Sequence, residues 1–134
     1  TVETRGISLA LLVPRAFNVP LVMARHDNYF TEGPTVNINY VSGSAIEIRT
    51  MGLPKRALQP GSRILVVDDV MKAGGTARGM IELATEVGAN VVGKAFLIET
   101  ATPENKLVDD YTAFFRLYDI DEEARKITIE PILG

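Results

Sequence analysis

Two adjacent carboxylates, Asp68 and Asp69, are followed in the run VVDDVMKAGGT by Lys72, Ala73, Gly74, Gly75 and Thr76. Carboxylates accept hydrogen bonds and repel phosphate, whereas a glycine-rich turn at a helix start offers backbone N–H groups to an anion. The two chemistries suit one ligand if it carries hydroxyls at one end and a phosphate at the other. A ribose 5-phosphate has that layout: Asp68 and Asp69 accept from a pair of ring hydroxyls, residues 73–76 cradle the phosphate, and Thr76 adds a hydroxyl donor. Lys72, set between the two, neutralises a bound diphosphate but cannot accept a proton at neutral pH unless strongly desolvated. Neither the Gly-x-x-x-x-Gly-Lys-Ser/Thr nor the Gly-x-Gly-x-x-Gly spacing is present, so this is neither of those nucleotide loops. The competing reading, two solvated aspartates beside an incidental turn, has to treat their meeting at a strand–helix junction as coincidence.

That junction needs a strand before it and a helix after it. Residues 63–69 read as a central buried strand entered from the Pro60–Gly61 turn. Residues 76–87 carry apolar positions at Met80, Ile81, Leu83, Ala84 and Val87 and stop at Gly88, the pattern of a helix. Residues 90–99 supply the next strand. Strand, helix and strand in that order imply a parallel crossover, hence an α/β sheet with a ligand crevice at the strand carboxyl ends. Upstream, residues 7–17 suggest a helix kinked by Pro14, and residues 19–25 a short buried strand. Residues 27–34 hold turn formers. Residues 35–41 and 45–51 alternate with period two around a Ser-Gly-Ser turn, forming a projecting β-ribbon. The remainder reads as a short helix and two closing strands.

The chain as a whole is one domain, residues 1–134, with 46% apolar residues and enough length for a sizeable core. A net charge of −3 and a pI near 5.2 argue against nucleic-acid binding by this stretch alone. With no cysteine and a single histidine, disulfides are excluded and a zinc site is not expected. No apolar stretch is long enough to span a membrane, and a cytoplasmic location is the default. Among other residues, His26 could contact a phosphate or a base but reads more readily as a surface residue. Tyr29 and Phe30 could stack on a base or meet a partner, and Asp109–Asp110 reads as a solvated helix end.

The run from Ile64 to Thr76 resembles the phosphoribosyl-pyrophosphate motif of type I phosphoribosyltransferases. The likeness implies that family's fold: a central, mainly parallel twisted sheet flanked by helices, with a β-ribbon hood. It also implies that Asp68 and Asp69 hold ribose hydroxyls and that Lys72, Ala73, Gly74, Gly75 and Thr76 wrap the 5-phosphate. The segment Glu3, Thr4, Arg5, Gly6 resembles the family's pyrophosphate loop, with Arg5 as the basic contact. Arg25, Tyr40, Ser42, Gly43 and Ser44 would approach the diphosphate from the hood. Magnesium would arrive with the ligand, with no metal ligand and no catalytic residue assigned in the protein itself.

The likeness narrows further. TVETRGI, TEGPTVNINYVSGS and DDVMKAGGT together resemble the bacterial purine operon repressors, which join an N-terminal winged-helix DNA-binding domain to a phosphoribosyltransferase-like sensor. This resemblance implies a homodimer whose present chain is most of the sensor. It would bind phosphoribosyl pyrophosphate as inducer without turning it over, guanine alarmone nucleotides being a further candidate ligand, and would reach operator DNA through the absent domain. Purine salvage enzymes often carry a small residue or an aspartate where Lys72 stands, which favours binding over catalysis. The alternative is an active adenine or xanthine phosphoribosyltransferase.

Overall fold

The computed structural model describes residues 1–27, 33–42 and 47–133. Two short helices open the chain, α1 (Ile7–Ala10) and α2 (Leu12–Phe17). Then come a ribbon of β1 (Thr35–Ser42) and β2 (Glu47–Pro54), the crossover β3 (Arg63–Met71), α3 (Gly75–Val87) and β4 (Asn90–Thr100), and finally β5 (Thr112–Asp121) and β6 (Lys126–Pro131). The main sheet runs in the order β3-β4-β5-β6. Its β3–β4 and β4–β5 pairs are parallel and its β5–β6 pair antiparallel.

The crossover follows from its apolar pattern. Ala77, Met80, Leu83 and Ala84 recur on one face of α3 and are buried there. Gly88, at φ 86°, then ends the helix in the left-handed conformation that glycine adopts without strain. The Ala89 and Gly88 N–H groups return to the carbonyls of Ala84 and Thr85, both at 2.9 Å, so the last turn is satisfied before the chain enters β4. The ribbon projects, yet its base is part of the core. Tyr40, Met51 and Leu53 are buried with Val66, Met80 and Leu83. Gly79 permits this contact: a β-carbon there would lie 3.0 Å from both Tyr40 and Met51. A second cluster of Met71, Ala77, Phe96 and Val108 sits below the β3–α3 turn. Truncating fully buried Phe96 or Met71 to alanine is expected to cost about 2–5 kcal/mol.

Four expectations are corrected. Residues 7–17 form two helices broken at Leu11, because Pro14 lacks the N–H that would bond the Ala10 carbonyl and carry one helix through. Residues 19–25 make only single bridges, Val2 with Ala24 and Arg25 with Gly52, and no strand. Among the described residues β3 has one strand neighbour and so lies at the sheet edge. Its far side faces an apolar groove of about 920 Å³ between Val19–Val22 and residues 63–67. No helix forms between β4 and β5; Asp109 and Asp110 are exposed on that connection, with Asp110 at φ 57°. The turn expected at residues 27–34 falls largely outside the described residues, as do Tyr29, Phe30, Gly43 and Ser44. Among the described residues, no helix is long and apolar enough to cross a membrane.

Candidate functional site

A cavity of about 440 Å³ opens at the carboxyl end of β3, lined by the β3–α3 turn, residues 2–6 and the inner side of the ribbon. Asp68 follows buried Val66 and Val67 in β3 and is itself 8% exposed. Its Oδ1 accepts from the Asp69 N–H at 2.9 Å, and Asp69 Oδ1 accepts from the Val70 N–H at 2.9 Å. These bonds fix the paired carboxylates and leave their outer oxygens for a ligand. Burial, with the neighbouring Asp69 charge adding to it, pushes the Asp68 carboxyl up to about 6, partly offset by the hydrogen bond from the Asp69 N–H.

Past the carboxylates, Gly74 takes φ 91° and α3 begins with no side chain capping its first turn. The N–H groups of that turn therefore face the cavity without a protein side chain competing for them, which suits an anion. Lys72, Ala73, Gly74, Gly75 and Thr76 all line the cavity, Lys72 from an exposed position. The helix N-terminus and the diacid thus occupy one space, as the sequence implied.

Residues 3–6 face the turn across the cavity. Gly6 is pressed so close that a β-carbon there would lie 2.2 Å from Asp68 Oδ1. Arg5 is largely exposed, with Nε 3.7 Å from Asp69 Oδ2, so its guanidinium is free to swing toward an anion. Glu3 lines the cavity, accepts from the His26 N–H at 2.8 Å and pairs with Arg25 at 3.9 Å. Arg25 does not line the cavity. Tyr40 and Ser42 do, whereas Gly43 and Ser44 lie outside the described residues.

Arg49 lines the cavity although nothing in the sequence singles it out, and His26 lines it although the sequence favours a surface residue over a phosphate or base contact. The His26 ring stacks on Tyr40 with centroids 6.2 Å apart and shares a 3.2 Å hydrogen bond with the Thr50 carbonyl. Arg49 donates to Glu47 at 2.9 and 3.0 Å and lies beside Tyr40, whose hydroxyl meets Thr76. Arg49 reaches the cavity through the docking of the ribbon on the core, and His26 through its ring contact with Tyr40 and the bond of its N–H to Glu3. The alternation of β2 marks Arg49 as a surface residue and carries no sign of which surface.

The phosphoribosyl transferase domain family matches residues 1–128. The chain belongs to that family. The purine biosynthesis transcriptional repressor PurR of Bacillus subtilis (strain 168) is 48% identical over 130 residues, 97% of this chain and 46% of that protein. The purine biosynthesis transcriptional activator PurR of Lactococcus lactis subsp. lactis (strain IL1403) is 38% identical over 130 residues, 97% of this chain and 48% of that protein. Adenine phosphoribosyltransferase of Dinoroseobacter shibae is 40% identical, but over 99 residues, 72% of this chain and 52% of that protein. Among solved structures, adenine phosphoribosyltransferase from Rhodothermus marinus superposes with a TM-score of 0.70 at 28% identity, covering 84% of this chain and 64% of that one. The chain spans about half the length of the curated relatives it matches. The type I phosphoribosyltransferase fold expected from the sequence is thereby established.

Proposed function

We propose that this chain is the effector-sensing part of a purine-biosynthesis transcription regulator, binding phosphoribosyl pyrophosphate without turning it over. One observation carries the reading: the diacid with its buried Asp68, the uncapped start of α3 and Arg5 converge on a single cavity. Asp68 and Asp69 accept from the ribose hydroxyls. The N–H groups of residues 74–76 and the Thr76 hydroxyl hold the 5-phosphate, and Arg5 and Lys72 face the diphosphate. Magnesium would arrive with the diphosphate of the ligand, the two carboxylates being engaged by the ribose hydroxyls.

Similarity to PurR proteins over 97% of the chain favours regulation over salvage. The presence of both a repressor and an activator among them leaves the sign of the response to the rest of the protein. Ligand binding changes DNA affinity only if the two DNA-affinity states bind the ligand differently; operator contact would come from the portion outside this chain, in a homodimer. A guanine alarmone, carrying diphosphates of its own, would compete for the same cradle. The alternative, an adenine or xanthine phosphoribosyltransferase, is favoured by the salvage relatives but is disfavoured by Lys72.

The test is a pyrophosphate-release assay on intact-length protein already shown to bind phosphoribosyl pyrophosphate, with adenine, guanine, hypoxanthine and xanthine in turn. Sensing predicts no release with any base. Release with one of them makes the protein an enzyme and overturns the role given to Lys72.

A further inference from the structure

The β4–β5 connection, residues 101–111, contains no helix or strand, yet its middle lies directly beneath the phosphate-cradling turn. The Leu107 N–H donates to the Ala73 carbonyl at 2.9 Å. At Gly74 a β-carbon would lie 3.3 Å from the Leu107 nitrogen and 3.5 Å from that of Val108. Val108 is buried with Met71 and Ala77, one residue on each side of the turn. The turn therefore rests on residues 107 and 108, and its Ala73 carbonyl is held from outside the β3–α3 unit.

The connection is in turn held to β4 at both ends by side chains. The Lys106 ammonium donates to the Thr100 carbonyl at 2.7 Å and approaches Thr100 Oγ1 at 3.4 Å, while that hydroxyl donates to the Thr102 carbonyl at 2.7 Å. This closes the loop back on the end of β4 one residue before Leu107. Below it, buried Glu99 accepts from the Tyr111 hydroxyl at 2.6 Å and pairs with Arg116. The Tyr111 ring packs edge-on to Phe96 at 5.5 Å. Glu99 thus anchors the far end of the connection, and Lys106 fixes the near end under Ala73.

We propose that Lys106 is a positioning residue for the 5-phosphate cradle, acting through Leu107 on the Ala73 carbonyl without touching the ligand. The inference rests on the ligand-binding reading above and goes beyond it by assigning a role to a part of the chain outside the cavity. A charge-assisted hydrogen bond between ammonium and carbonyl is worth more than a neutral one. Its loss frees residues 106–108 and lets the turn sample conformations that bind phosphate poorly.

The test measures three ligands on intact-length wild type, Lys106→Met and Lys106→Arg: phosphoribosyl pyrophosphate with magnesium, ribose 5-phosphate and inorganic pyrophosphate. Lys106→Met is expected to weaken ribose 5-phosphate and phosphoribosyl pyrophosphate about tenfold and to leave pyrophosphate within about twofold, a pattern that general destabilisation does not produce. Lys106→Arg, which keeps a cationic donor, is expected to recover most of the loss. Hydrogen exchange at the Leu107 amide gives an independent readout and should accelerate in the methionine variant alone. Wild-type binding matched by Lys106→Met, or equal losses for all three ligands, overturns the inference while leaving the site intact. A wild type that binds none of the three overturns the site reading, and this inference with it.

Discussion

The chain holds two Asp-Asp pairs, each preceded by valine, and only one lies in a cavity. Asp68–Asp69 lies near the carboxyl end of a parallel strand, with Asp68 buried and the open N-terminus of α3 a few residues on. Asp109–Asp110 sits exposed on an irregular connection, with no glycine turn after it. The two pairs differ in the residues that come next in the chain and in the segment pressed against them. The first pair is set near a strand end, with a glycine bringing a second loop against it and a helix start beside it, and these are the features on which the proposed sugar-binding role rests.

The largest expected break in this comparison is the double substitution Asp68→Asn, Asp69→Asn. With two charge-assisted acceptors lost, affinity for phosphoribosyl pyrophosphate should fall by about a hundredfold or more, measured calorimetrically. Next comes Gly6→Ala, which forces a β-carbon against Asp68 Oδ1. Backbone conformation is not the obstacle, since Gly6 has φ −65°; space is. We expect about 1–3 kcal/mol of lost stability from overpacking, read from a denaturant midpoint, together with weakened binding.

A subtler effect separates the pairs by pH. Asp68 titrates near 6 in the folded chain against 3.8 for an ordinary aspartate, so the folded state holds this proton more tightly than the unfolded one. Its contribution to stability is therefore greatest below about pH 4 and is lost as pH rises toward about 6. Asp68→Asn should raise the melting temperature above pH 6 and bring no gain below pH 4, whereas ligand affinity in the wild type should decline as pH falls below 6 and the acceptor is protonated. The smallest effect belongs to Asp109→Asn with Asp110→Asn: binding within about twofold of wild type and stability within about 0.5 kcal/mol, as for exposed side chains away from special features.

Much of this was legible in the sequence because the β3–α3–β4 unit is specified locally. An apolar run, a glycine turn, a helical stripe and the stop at Gly88 each reinforce the next, and the family motif coincides with them. The ribbon was legible from period-two alternation. What escaped depends on contacts between distant segments. Residues 19–25 have a strand's composition but make only isolated bridges, and β3 reads as central from its apolarity although it borders an open groove. Arg49 reaches the cavity through the docking of the ribbon on the core and His26 through its contacts with Tyr40 and Glu3, and no local pattern announces either. Arg25 was expected in the diphosphate site and instead pairs with Glu3. The support of the turn by Leu107 and Lys106 was hidden in a stretch that reads in the sequence as a short helix with a solvated end.

The central claim is that the Asp68–Asp69 crevice binds phosphoribosyl pyrophosphate. Calorimetric titration of that ligand with magnesium into intact-length wild type and into Asp68→Asn, Asp69→Asn tests it most directly. The account predicts saturable one-site binding to the wild type and its collapse in the double variant, with Asp109→Asn, Asp110→Asn behaving as wild type. Absence of binding to the folded wild type, or equal affinity in the double variant, would contradict it.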